Sequence, residues 1–119
     1  MHKIKIYHNP RCSKSREALQ IIKDNNLEPD IKLYLEEKIT SNELSNILDM
    51  LGLQPRDIIR TNEEEYKINN LQDSCHTRND LLNFMINFPK LIERPIIIMG
   101  NNAVLGRPPE NVYKLLKQL

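Results

Sequence analysis

Hydrophobic and polar positions along this 119-residue chain change period several times, and each change marks an element. Ile4 and Ile6 alternate with polar neighbours, the period of two that a strand with one buried face requires. From Ser13 the spacing lengthens, and Ala18, Leu19, Ile21 and Ile22 follow a helical period that ends near Asn25-Asn26. After Pro29 the alternation returns at Ile31, Leu33 and Leu35, predicting a second strand. The chain therefore opens β-α-β, a unit that takes a right-handed crossover and parallel strands.

The middle reads as helical. Thr40-Ser41-Asn42-Glu43 matches a capping box, in which the threonine and glutamate each satisfy an amide of the first turn. Leu44, Ile47, Leu48 and Leu51 follow at helical spacing, and Gly52 supplies a stop. Pro55 opens a short piece carrying Ile58, Ile59 and Arg60, and Asn62-Glu63-Glu64-Glu65 is a solvated helix face or turn. Thr77-Arg78-Asn79-Asp80 caps a helix through Leu81, Leu82, Met85 and Ile86 that Pro89 stops. Ile96-Ile97-Ile98-Met99 then reads as a buried strand, with Gly100-Asn101-Asn102 as a hairpin turn and Ala103-Val104-Leu105 as the return. Pro108 and Pro109 suit a helix start, with Val112, Leu115, Leu116 and Leu119 on its buried face. With no repeats, low-complexity tracts or linkers, the expected organisation is one domain over residues 1–119. It is α/β, in the order β-α-β then β-β-α, with a helical insertion at roughly 40–88 between the second and third strands.

A domain of this length can bury a core without disulfides or metals. The net charge of +1 points to neither nucleic acid nor an anionic membrane, so any cationic site must be local. The longest apolar run is far too short to span a bilayer, and the first residues lack the apolar stretch of a signal peptide, so the expectation is a soluble, cytoplasmic protein. Cys12 and Cys75 form neither a Cys-x-x-Cys pair nor a zinc-spaced cluster, and no metal site is expected.

Candidate chemistry concentrates where the first strand gives way to the first helix, in His8-Asn9-Pro10-Arg11-Cys12-Ser13-Lys14-Ser15-Arg16. A helix N-terminus and nearby positive charge lower a thiol pKa from about 8.5 to as little as roughly 3.5–7.5, and the thiolate is the nucleophile. His8, four residues away, could stabilise that thiolate as imidazolium. Ser15 could be a helix-cap or first-turn residue and could also present its hydroxyl to the thiolate or to a bound oxyanion. Arg11 and Lys14 read as solvated surface. Arg60, Arg94 and Arg107 stand out further along, the last two held extended by the prolines that follow them. From spacing alone each of the three reads as a surface residue, although a guanidinium fork suits a tetrahedral oxyanion. The residues alone define a cysteine enzyme or thiol-redox domain that handles an anion.

The chain resembles the glutaredoxin-linked arsenate reductase (ArsC) family over nearly its full length, and within it a bacterial subgroup of arsenate-reductase-like members. The matching blocks are Ile6-Tyr7-His8-Asn9-Pro10-Arg11-Cys12 with Ser15-Arg16, then Leu33-Tyr34-Leu35-Glu36, and Arg60 with Tyr66. They continue in Pro89, Leu91-Ile92 and Arg94-Pro95-Ile96, and in Gly106-Arg107-Pro108-Pro109-Glu110. The resemblance implies a thioredoxin-like fold with a mixed sheet and a cis peptide before Pro95. It implies Cys12 as nucleophile with His8 and Ser15 in support, and Arg60, Arg94 and Arg107, joined by Arg16, as oxyanion binders. It further implies arsenate as substrate, glutathione as co-substrate, glutaredoxin as partner, no bound cofactor, and a monomer. Two other functions fit parts of the pattern. Cys12-Ser13-Lys14-Ser15 has the Cys-x-x-Ser form of monothiol glutaredoxins, whose substrates are mixed disulfides with glutathione, but those do not need three arginines. Spx-type regulators, which share the fold and bind RNA polymerase, typically carry a Cys-x-x-Cys switch that Ser15 would interrupt here.

Overall fold

The computed structural model describes residues 3–117. They form two units, one made by the chain up to Glu37 together with the chain from Arg94 onward, the other by Lys38–Glu93. In chain order the elements are β1 (Ile4–Tyr7), α1 (Ser13–Asp24), β2 (Asp30–Lys32), α2 (Ser41–Leu51), α3 (Pro55–Ile58) and α4 (Glu64–Ile68). They continue with α5 (Arg78–Asn87), β3 (Ile96–Met99), β4 (Asn102–Leu105) and α6 (Val112–Leu116), and short 3-10 turns occupy Pro89–Leu91 and Pro109–Asn111.

The first unit holds the whole sheet, in the order β2-β1-β3-β4. β1 runs parallel to β2 and antiparallel to β3, and β3 returns as β4 in a hairpin. Register places Ile6 opposite Ile97, so both present the same face. That face carries Ile4, Ile6, Ile97 and Met99, and Ala18 and Ile22 of α1 and Val112 and Leu115 of α6 cover it. Burying an isoleucine such as Ile6 or Ile97, each fully buried, contributes about 1.5–3 kcal/mol.

The second strand is shorter than its alternation suggests. It stops at Lys32, because the Leu33 carbonyl accepts the amides of Glu36 (2.9 Å) and Glu37 (2.8 Å) and closes a turn. The Glu37 carboxylate reinforces that turn by accepting the Leu33 amide at 3.0 Å. The buried phase is also the opposite one: Tyr34 is inside, while Ile31 and Leu35 are exposed. At the hairpin, Asn102 pairs with Met99 as part of β4, leaving a two-residue loop in which Gly100 takes φ 62°. The two prolines before α6 start a 3-10 turn rather than the α-helix itself, and Leu119 lies outside the described residues. The peptide before Pro95 is cis, as the resemblance implied, and so is the one before Pro108.

The second unit is helical. Thr40 Oγ1 accepts the Glu43 amide at 3.1 Å to start α2, and Gly52 ends it in the left-handed region at φ 70°. Thr77 and Asp80 complete a capping box on α5, each side chain accepting the other's amide (3.1 and 2.9 Å). A second capping box, between Gln54 and Asp57, opens α3. Glu64 and Glu65 begin α4, on the acidic stretch read as a helix face or turn. Leu44, Ile47, Leu48, Ile58, Leu81, Leu82, Met85 and Leu91 are buried. An antiparallel bridge between Ile59 and Ile92, absent from the sequence reading, fastens the segments on either side. No helix among the described residues is long and apolar enough to cross a membrane.

Candidate active site

β1 ends at Tyr7, and the next five residues form a loop that delivers Cys12 to the N-cap of α1. The loop is held by its own polar groups. The Asn9 side chain accepts the Arg11 amide at 3.0 Å, and its backbone carbonyl accepts the Cys12 amide at 3.0 Å. Arg16 Nη1 donates to the Pro10 carbonyl at 2.9 Å, so its observed role is to fasten the loop. Asn9 was not singled out from sequence. Its signal was the asparagine-proline pair, a turn-forming dipeptide whose side chain bonds the backbone two residues on.

Cys12 is nearly buried, and its backbone is extended at the N-cap, with φ −94° and ψ 123°. Burial alone would push the thiol pKa up. The Ser15 amide, the Arg94 guanidinium and the Lys14 amide oppose it and together prevail, so the thiol sits below its ordinary value. Arg107 adds a second guanidinium, with Nη2 3.8 Å from Cys12 Sγ. Its Nε donates to the Arg94 carbonyl at 2.9 Å, which links the two arginines. Two residues from the far end of the chain thus converge on its sulfur.

Ser15 lies in the first turn of α1, where it meets His8. His8 Nδ1 lies 2.6 Å from Ser15 Oγ, and Ser15 Oγ accepts the Asn9 amide at 3.0 Å. Burial, and then Arg16 and Lys23, lower the His8 pKa, so the ring is neutral near pH 7. Of the two roles open to His8, burial and the neighbouring cations disfavour the imidazolium, and the ring is engaged with Ser15. Ser15 in turn lowers the Cys12 pKa through its amide, while its hydroxyl ties His8 to the loop.

Arg60 lies in the helical unit. Its Nη1 meets Glu93 Oε1 at 2.7 Å and its Nε is 3.9 Å from Glu63 Oε2, while its amide donates to Leu91 O at 2.7 Å. Cys75, in the same unit, is exposed. Hydrogen bonding to the Asp73 carboxylate raises its thiol pKa, the opposite of an activated nucleophile. Leu33, Leu35 and Glu36, having left the sheet, wall a cleft of about 280 Å3 beside the His8–Arg11 loop. No group of side chains among the described residues could hold a metal ion.

A mixed sheet with this element order, bearing Cys12 at the β1–α1 junction, defines an α/β protein of thioredoxin-like fold. The ArsC family model matches residues 7–115, and the chain belongs to that family. It is 45% identical over 114 residues to the uncharacterised protein YfgD of Escherichia coli K12, covering 95% of this chain and 96% of that one. It is 43% identical over 112 residues to an arsenate reductase of Haemophilus influenzae, covering 93% and 97%. Among solved structures it is similar to an arsenate reductase from Vibrio cholerae, with a TM-score of 0.92 and 42% identity over 94% of this chain and 96% of that one.

Proposed function

We infer that this protein is an arsenate reductase that uses Cys12 as its nucleophile and draws electrons from glutathione and glutaredoxin. The observation that carries the reading is the Cys12 sulfur, lowered in pKa and faced by Arg94 and Arg107. The two guanidinium groups favour the thiolate and, by the same charge, an incoming oxyanion. In the reaction the thiolate attacks arsenic(V) and a protonated oxygen leaves as water, giving a Cys12–arsenic adduct. A glutathione thiol then provides the second sulfur. Two thiols together surrender two electrons, arsenic falls from +5 to +3, and arsenite and a disulfide are released. With no Cys-x-x-Cys partner and a Cys75 thiol of raised pKa, the second sulfur comes from outside. Glutaredoxin clears the mixed disulfide with glutathione, in a cytoplasm whose glutathione pool is reduced.

The test is arsenate-dependent NADPH consumption with glutathione, glutathione reductase and a panel of glutaredoxins. Turnover is expected with the wild type and with Cys75→Ser, and none with Cys12→Ser. Arg107→Ala should weaken arsenate use by about ten- to a hundredfold, the worth of one charge-assisted contact of roughly 1.5–3 kcal/mol. Arg107→Lys should recover only part of it, because the planar fork is lost. Turnover sustained by thioredoxin alone, with a Cys12–Cys75 disulfide in the mass spectrum, would overturn the mechanism. Reduction of protein–glutathione disulfides without any arsenate reduction would point to the monothiol reading instead.

A further inference from the structure

We propose that Asn111 and Gly106 are positioning residues that set Arg107, and with it Arg94, against the Cys12 sulfur. Neither contacts the sulfur in the structure, and the inference rests on the two arginines acting at Cys12. Asn111 sits in the 3-10 turn before α6, and its Nδ2 donates to two backbone carbonyls, Leu105 at 3.0 Å and Arg107 at 3.1 Å. One amide group therefore grips the chain on both sides of Gly106. Gly106 makes the opposite attachment, its own amide donating to the Pro95 carbonyl at 2.8 Å. The segment from Leu105 to Arg107 is pinned from the helix side by Asn111 and from the β3 side by Pro95.

The absence of a side chain at Gly106 permits this approach. Its φ lies outside the left-handed region, so conformational freedom is not the reason for glycine here. A Cβ at this position would lie 2.6 Å from Pro95 Cγ, 3.0 Å from Ile97 Cδ1 and 3.3 Å from Ala18 Cβ. The first contact is shorter than carbon atoms tolerate, and the pyrrolidine ring has little freedom to retreat. Relief must come from separating the Leu105–Arg107 segment from Arg94–Pro95. That separation stretches the 2.9 Å bond from Arg107 Nε to the Arg94 carbonyl and carries Nη2 away from Sγ. Asn111→Ala loosens the same segment from its other side without adding bulk.

The pH profile of Cys12 alkylation tests this with no substrate present. In Gly106→Ala and in Asn111→Ala the profile should move toward the ordinary thiol range, because the guanidinium groups no longer face the sulfur. In the coupled assay, the arsenate KM should rise by roughly three- to tenfold with a smaller change in kcat, since a misplaced binding group acts on anion capture. Ile22→Val serves as the control: it thins the same core away from this segment, and should lower Tm while leaving the alkylation profile in place. If Gly106→Ala does not fold, Asn111→Ala decides the matter alone. Variants that lose Tm like the control while keeping the wild-type alkylation profile would overturn the proposal. A shifted profile in a protein whose wild type never reduces arsenate would leave the positioning role standing and sink the substrate reading.

Discussion

At Cys12, burial and charge pull in opposite directions, and the outcome depends on groups from two distant places in the chain. Burial raises the thiol pKa, while two amides of the first helical turn and Arg94 lower it further than burial raises it. Cys75 shows the reverse balance, with Asp73 holding its proton. Near pH 7, iodoacetamide should therefore modify Cys12 first although Cys75 is the more exposed, and Cys75 should follow only as the pH is raised. Peptide mapping of the labelled protein reads the order. His8 gives a second expectation. Its folded pKa lies below its unfolded one, so on acidification the unfolded chain takes up the proton first. Stability from this group is whole above the unfolded value of about 6.5 and declines as pH falls through it toward the folded value. Thermal melts between about pH 7 and 5 should show Tm falling in the wild type and falling less in His8→Gln.

Among the elements, the helical ends are the most transparent. Thr77 and Asp80 each accept the other's amide, and the pair was readable from four consecutive residues. Thr77→Ala should cost about 1 kcal/mol in urea denaturation, with no change in the slope against denaturant. β2 shows where a two-residue period misleads. Ile31, Leu33 and Leu35 alternate as a strand would, yet the Leu33 carbonyl closes a turn and Tyr34 takes the buried place. In a three-residue edge strand few ladder bonds compete with a local turn, so apolar spacing alone could not set its length. β3 had stronger backing, since its continuous apolar run pairs on both sides. Ile97→Ala should cost about 2–5 kcal/mol, because the side chain is fully buried beneath α1 and α6.

For the whole molecule, the element order was legible in the sequence, because it follows from periodicity, caps and turns, which are properties of neighbouring residues, whereas the thioredoxin-like sheet was what the resemblance implied. Cys12 was legible for the same reason: a cysteine at a strand-to-helix junction carries its own donors within three residues. Arg94 and Arg107 could be named as candidates, but their meeting at Cys12 Sγ arises from β3 and β4 pairing beside β1, contacts that span most of the chain. The neutral state of His8 is likewise tertiary, set by burial and by two cations presented from α1. Asn111 and Gly106 carried no chemical label in the sequence, since an amide bridging two carbonyls and a missing Cβ acquire meaning only when the segments they hold are brought together. The sequence by itself determined which residues were able to do chemistry and which elements carry them. The tertiary structure decided their charge states and partners, because electrostatics and steric fit act through space, whereas periodicity and capping act along the chain.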